Sequence, residues 1–135
     1  MFKFAKSKSK LRNEKGASAV EFALVLTPLI ILVFAIFQFG ILFNNWIALT
    51  YAAREGARLA AVDVDVSEIS AKVIERAPSV NIESVTVNPL HGEIGSPVTV
   101  TVRGKVLNFE LPLVPGTQKS ISLTSSATLM IEYKN

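Results

Sequence analysis

One long apolar stretch dominates the first half of the chain, and shorter alternating patterns fill the second half. Between Phe22 and Phe43 the only polar side chains are Thr27 and Gln38, and no charged residue follows until Arg54. Twenty-two helical residues span roughly 33 Å, enough to cross a hydrocarbon core of about 30 Å. A soluble helix of this length would keep one polar face, and none is present. The pattern therefore predicts a transmembrane helix at 22–43.

The helical pattern continues past the apolar stretch to Val62. Residues 47–62 are rich in helix formers, and Glu55 can pair with Arg58 one turn later. Small side chains recur every four residues, which permits another surface to approach closely; they are Ala48, Ala52, Gly56 and Ala60. Packing within the chain explains this row, and so does docking of a partner helix. Arg54 and Arg58 share one face, which either is simply solvated or contacts lipid headgroups or a partner.

Beyond Val62 the pattern predicts a small α+β domain. Asp65 and Glu68 form a capping pattern ahead of a short helix that ends at Pro78. Three segments then show strand-like alternation; they are Asn81–Asn88, Val98–Val106 and Ile121–Tyr133. Their connections, residues 89–97 and 111–116, are rich in turn formers. We therefore predict an α+β fold, with a long N-terminal transmembrane helix, a short helix and an antiparallel sheet of about three strands.

The predicted domain at 63–135 is too small to build a large core without help. It contains no cysteine, so no disulfide can stabilise it. Docking onto the end of the long helix would enlarge its core.

The residue types leave little room for catalysis. With no cysteine and a single histidine, His91, the chain cannot assemble a thiolate or histidine metal site. It has neither a glycine-rich phosphate loop nor a G-x-S-x-G turn. The serines at positions 120, 122, 125 and 126 are interpreted as the solvent face of the third strand, and Asp63 and Asp65 as linker and helix cap. We predict no catalytic, cofactor-binding or metal-binding residues, and hence no enzyme.

The net charge of +3 and the pI near 9.3 come from one end of the chain. Residues 1–16 hold six basic residues and one acidic residue, a net charge of +5, whereas residues 17–135 hold eight basic and ten acidic residues, a net charge of −2. The basicity therefore belongs to a tail, and no nucleic-acid partner is expected. By the positive-inside rule the N-terminus is cytoplasmic and residues 63–135 are extracytoplasmic, with Trp46 and Tyr51 suited to the far membrane interface.

The most informative position is Glu21, directly before the apolar stretch. A carboxylate at this boundary costs little among headgroups, but much more if it is drawn unpaired into an apolar bundle. One interpretation is that Glu21 favours the helix dipole, an effect worth under about 1 kcal/mol. The other interpretation requires a cut after Gly16. Ala17 would then carry a cationic amine, and the amine of a neighbouring copy could neutralise Glu21 inside a helical assembly.

These residues carry a family resemblance. Lys15-Gly16, followed by small residues, by Glu21 at the fifth position after the glycine and by Phe22, resembles a type IV prepilin processing site. A conventional signal peptide would have its cleavage site after the apolar run. The longer string, through the Ala-Ala-Arg-Glu-Gly-Ala-Arg of residues 52–58, is similar to TadE-like pseudopilins of the tight-adherence (Tad, Flp-type) pilus system. The resemblance spans about residues 15–62.

The resemblance implies that a membrane-embedded aspartic prepilin peptidase cuts after Gly16, on the cytoplasmic side. The chain would then consist of a cleaved basic leader (1–16), a long hydrophobic helix (17–62) and an outer domain (63–135). The mature protein would be a minor pseudopilin of the inner membrane that takes part in pilus assembly and adherence. Its expected partners are the peptidase, other pilins and pseudopilins, the pilus assembly platform and membrane lipid.

The resemblance makes Gly16 and Ala17 the processing pair, and Glu21 and Phe22 the assembly pair. The helical spacing of the small residues and of the two arginines predicts a helix-packing or partner surface; its residues are Ala52, Gly56, Arg54 and Arg58. The alternative is an uncleaved single-span inner-membrane protein whose periplasmic domain binds a ligand or partner.

Overall fold

The computed structural model describes residues 8–90, 92–109 and 119–132. In this part of the chain a long helix is followed by a short helix and three strands, which confirms the predicted α+β class. The chain divides into two compact units, Met1–Phe37 and Gln38–Asn135. The loop residue His91, the strand end Tyr133 and the predicted turn at 111–116 lie outside the described residues.

The first helix, α1 (Lys8–Ala61), contains 54 residues and runs through both units. It begins nine residues before the predicted start at Ala17, because the lysine, arginine and glutamate residues of the basic segment are themselves good helix formers. Pro28 lies inside the helix and has no N–H to donate to the carbonyl of Leu24. The helix nevertheless continues through Pro28 without a break.

α1 ends in a left-handed turn at Asp63, whose φ is 58°. The Asp63 N–H donates to the Ala60 carbonyl at 3.2 Å, and the Val64 N–H donates to the Leu59 carbonyl at 3.2 Å. Turns of this kind satisfy the last carbonyls of a helix, and aspartate tolerates the conformation better than most residues other than glycine. The turn stops α1 and redirects the chain.

The second helix, α2 (Val66–Arg76), lies where the sequence predicted it, directly after Asp65. The Asp65 carbonyl accepts the Glu68 and Ile69 N–H groups, each at 3.0 Å. The Asp65 side chain makes no capping hydrogen bond, so the predicted side-chain cap is wrong. The Asp65 side chain is exposed, where water competes for the carboxylate.

The three strands form one antiparallel sheet in the order β1-β2-β3. Their bounds are Asn81–Asn88 for β1, Pro97–Phe109 for β2 and Lys119–Met130 for β3. The prediction placed the end of the third strand at Tyr133. β3 stops at Met130 because the next two N–H groups donate outside the sheet, from Ile131 to the Ser96 carbonyl and from Glu132 to the Ala61 carbonyl, both at 2.9 Å.

A bulge in β1 explains why its apolar residues alternate only roughly. The pairing register with β2 shifts between Ile82 and Ser84, which leaves Glu83 as an extra residue. Residues three apart can then share one side of the sheet. As a result Ile82, Val85 and Val87 are all half-buried against the same core.

The hydrophobic core of the unit Gln38–Asn135 is built from the end of α1, one side of α2 and the inner face of β2. Val98, Val100 and Val102 are at most 1% exposed, as their alternation predicts. α1 contributes mainly small side chains, which are Ala52, Ala53, Ala57, Ala60 and Ala61 together with Leu49. The end of the long helix therefore supplies much of the core of the small domain, as its size requires.

The closest approach within this core is at Gly56. A β-carbon at this position would lie 3.0 Å from Val73 Cγ2, 3.1 Å from Val100 Cγ1 and 3.5 Å from Ile69 Cγ2. Val73 and Val100 are fully buried. The row of small residues along α1 thus accommodates the chain's own α2 and β2.

A polar contact joins α1 to β3 at Thr50 and Ser125, whose hydroxyl oxygens are 3.2 Å apart and partly buried. Ser125 pairs in register with Val102 on the inner face. Its assignment to the solvent face is therefore wrong, because period-two alternation gives it the orientation of Leu123 and Ala127. The serines at 120, 122 and 126 are exposed, as predicted.

We expect Gly56→Ala to lower the free energy of unfolding of the unit Gln38–Asn135 by about 1 kcal/mol. Overpacking against two buried valines costs about 1–3 kcal/mol, which outweighs the gain of up to about 1 kcal/mol from replacing a helical glycine. Thermal unfolding in detergent should show a midpoint about 4–8 °C lower. The control is Gly40→Ala, since nothing lies within 4 Å of a β-carbon there. Equal midpoints for the two variants would contradict the packing described at Gly56.

Candidate functional site

The predicted processing and assembly residues lie on one stretch of α1 in the unit Met1–Phe37. Gly16, Ala17, Glu21 and Phe22 are all exposed, and Phe22 retains 66% of its accessible surface. A β-carbon at Gly16 would find nothing within 4 Å. Ala17 and Glu21 are four residues apart and so lie one turn apart on the same side of the helix. The structure brings these residues together on an open helical surface.

The apolar stretch that follows Glu21 is exposed on all sides of α1. Most of its large side chains are between 38% and 70% exposed, from Ile30 at the lower value to Leu24 at the upper. The helix Gly16–Ala61 is long and apolar enough to cross a membrane, and none of its most apolar window is buried. This surface fits a membrane anchor.

Exposed aromatic residues lie at the end of the apolar stretch and just beyond it. The Phe39 and Phe43 rings stack with centroids 6.4 Å apart, and the Phe43 and Trp46 centroids are 5.8 Å apart. Trp46 is 45% exposed, and the Arg54 guanidinium lies 5.9 Å from the centroid of the Tyr51 ring. Amphipathic aromatic rings favour the membrane–water interface.

The structure separates the four residues predicted to form a helix-packing or partner surface. Ala52 and Gly56 are buried in the core of the unit Gln38–Asn135. Arg54 and Arg58 are exposed on the other side of α1, and Arg58 Nε lies 3.7 Å from Glu55 Oε2, which confirms the predicted pair. Only the arginines therefore remain accessible to another molecule.

Two polar residues of the inner surface were not singled out from the sequence. Asn45 is 4% exposed, and the Thr50 hydroxyl accepts a hydrogen bond from the Ser125 hydroxyl. The sequence does contain a signal for the burial of Asn45. This residue lies four residues before Leu49 and seven before Ala52, so it shares their side of the helix. Within the described residues, no group of three or more His, Cys, Asp or Glu is placed to hold a metal ion.

These features define a class of protein in which one membrane-compatible helix also forms part of the core of a small α+β unit. Residues 16–58 match the family model of TadE-like proteins. The match confirms the resemblance drawn from the prepilin-like boundary and the Ala52–Arg58 string. It covers most of α1 and none of the sheet. Residues 16–58 are thus similar to TadE-like proteins, a structural and non-enzymatic family related to Tad pili. Comparison with curated proteins and with solved structures found no match.

We expect Arg54→Ala and Arg58→Ala, singly or together, to change the free energy of unfolding by less than about 0.5 kcal/mol. Exposed ion pairs contribute little to stability, and neither arginine supports the core. Chemical denaturation in detergent measures the effect, with Gly56→Ala as the destabilised reference. A loss as large as that of Gly56→Ala would show that the arginines hold the fold together.

Proposed function

We propose that the protein is a minor pseudopilin of a Tad pilus system, processed after Gly16 and active in pilus assembly and adherence. The observation that carries the proposal is the family match that begins at Gly16 and includes Glu21 and Phe22. The exposed apolar helix directly after these residues supports it. In this proposal the N-terminus lies in the cytoplasm and the outer domain beyond the inner membrane, because the basic residues precede the span.

Processing is supported by the surroundings of Gly16. The residue is exposed and has open space where a side chain would be. A helical peptide bond must unwind before a peptidase can bind it in an extended form. Glycine lowers the cost of this step, because it is about 1 kcal/mol less favourable than alanine within a helix. Cleavage there would remove residues 1–16 and, with them, the basic charge.

Assembly is supported by the combination of Glu21 with a helix that is apolar on all sides. Such a helix can exchange lipid for other apolar helices with little change in buried area. An unpaired carboxylate in that bundle would be costly, whereas a neighbour's Ala17 amine would compensate it. The charge therefore favours packing in the one register that places an amine beside Glu21.

Arg54 and Arg58 are proposed to meet a neighbouring pilin subunit and not lipid. Arg54 lies eleven residues beyond Phe43, about 16 Å along the helix, whereas the headgroup layer on each side is only about 5–8 Å thick. Arg58 is one turn farther out. Exposed guanidinium groups at this height are suited to carboxylates on another protein.

We expect Gly16→Leu to leave the leader attached, because a bulky side chain would occupy the position at which the peptidase accepts glycine. N-terminal sequencing of the membrane-bound protein should give Ala17 for the wild type and an uncut chain for the variant. Gly40→Leu makes the same substitution in the same helix and should still be cut. A wild-type protein that begins at Met1 would instead support the uncleaved single-span alternative.

We expect Glu21→Ala to be cut normally but to enter pili at least about tenfold less, since loss of one charge pair worth about 1.4 kcal/mol already changes an equilibrium tenfold. Immunoblots of sheared pili and of membranes measure both steps. Glu14→Ala is the matched control, because that acid leaves with the leader and should not affect incorporation. Normal incorporation of Glu21→Ala, with no second pseudopilin taking its place, would disprove the assembly role.

A further inference from the structure

The sheet and the end of α1 can be aligned along the helix axis at two contacts, both within the unit Gln38–Asn135. Ser125 of β3 contacts Thr50, and the Glu132 N–H donates to the Ala61 carbonyl. From Ser125 to Glu132 is seven residues, and from Thr50 to Ala61 is eleven. β3 therefore runs in the same direction as α1, toward the C-terminal end of that helix.

The same two contacts give the height of every β3 residue along α1. The seven residues from Ser125 to Glu132, of which the last two lie beyond β3, cover at most about 23 Å, and eleven helical residues rise about 16 Å. Each β3 residue therefore corresponds to about 1.6 residues of α1. Counting back from the contact at Ser125, Ser122 lies level with about residue 45 and Ser120 with about residue 42. Thr128, counted forward, lies level with about residue 55.

The burial of Asn45 independently supports this height. Asn45 is 4% exposed, whereas its neighbour Trp46, on another side of the helix, is 45% exposed. One side of α1 is therefore already covered at Asn45, two residues beyond Phe43, the end of the apolar stretch. The pairing of β2 with β3 continues past this level, from Val106–Ile121 to Phe109–Lys119.

From this geometry we infer that the end of the β2–β3 pair, from the Val106–Ile121 pair to the Phe109–Lys119 pair, lies at the membrane surface, where the lipid headgroup layer meets the hydrocarbon. The inference rests on the membrane anchoring in the proposed function and not on processing or pilus entry. Phe39, Phe43 and Trp46 are exposed on the same part of α1 and place the edge of the hydrocarbon at this height. The outer domain thus rests on the bilayer surface.

The surface chemistry of this end of the sheet suits a lipid headgroup layer. The outward-facing residues of β3 at 120 and 122 are uncharged serines, and the nearby ammonium group of Lys105 is paired with the Glu83 carboxylate. Hydroxyl groups can exchange water for phosphate and glycerol oxygens at little cost. The headgroup layer therefore meets no unpaired acidic side chain at these described positions.

The absence of cysteine allows a direct test with single-cysteine variants. Ser120→Cys, Ser122→Cys and Thr128→Cys place a nitroxide on the same exposed side of the same strand, at different heights. Each full-length labelled protein is reconstituted in phosphatidylethanolamine–phosphatidylglycerol vesicles, with and without a nickel-chelating lipid. We expect the nickel headgroups to enhance spin relaxation at 120 and 122 at least about threefold more than at 128, because the heights of 122 and 128 differ by about 14 Å.

Ile41→Cys reports on the anchor itself, since Ile41 is 57% exposed and lies within the apolar stretch. Strong relaxation at 41 with equally weak effects at 120, 122 and 128 would leave the anchor intact and overturn the inference. Weak relaxation at position 41 as well would show that α1 does not anchor the protein in the bilayer, which would contradict both the proposed anchoring and the inference. The two test positions, 120 and 122, are both exposed, so a local disturbance by one label would not be mistaken for the effect. Circular dichroism of each variant verifies the fold.

Discussion

The close approach of α1 to α2 and β2 at Gly56 is the contact on which the outer domain depends. Val73 and Val100 reach so near the helix backbone that even a methyl group would have to displace them. A three-stranded sheet with one short helix, and no disulfide, buries too little apolar surface to be stable by itself. The small residues of α1 pack against α2 and the sheet and complete this core. The domain is thus stable because it shares a helix with the membrane anchor.

This sharing places two different demands on a single helix. From Phe22 to Phe43 the helix has no polar face, which suits lipid or a bundle of similar helices. After Asn45 the inner side is small and buried, while the outer side carries Arg54 and Arg58. In the proposed function the first part anchors and assembles the subunit, and the second part presents a charged surface above the bilayer. A domain seated on the headgroups would have to leave them when the subunit enters a pilus.

Much of the fold could be predicted because its signals are local. The absence of a polar face over residues 22–43, the alternation of Val98, Val100 and Val102, and the turn formers between the strands each depend on neighbouring positions. The bounds of β1 agree with the prediction, and those of α2 and β2 differ by a few residues. The candidate site was identified in the same way, from Gly16, Glu21 and Phe22 at the edge of the apolar stretch, and the family match covers all three.

The sequence by itself determined which segments form helices and strands, that one helix is apolar enough to span a membrane, and where the prepilin-like boundary lies. Only the tertiary structure decided what covers each face. The row of small residues along α1 was compatible with docking of a partner helix or with packing within the chain, and the buried contacts at Gly56 come from the chain's own α2 and β2. Likewise, the inward position of Ser125 and the extra residue at Glu83 depend on pairing with β2. The physical reason is that periodicity specifies the direction of a side chain, whereas the surface it meets is supplied by residues far away in the chain.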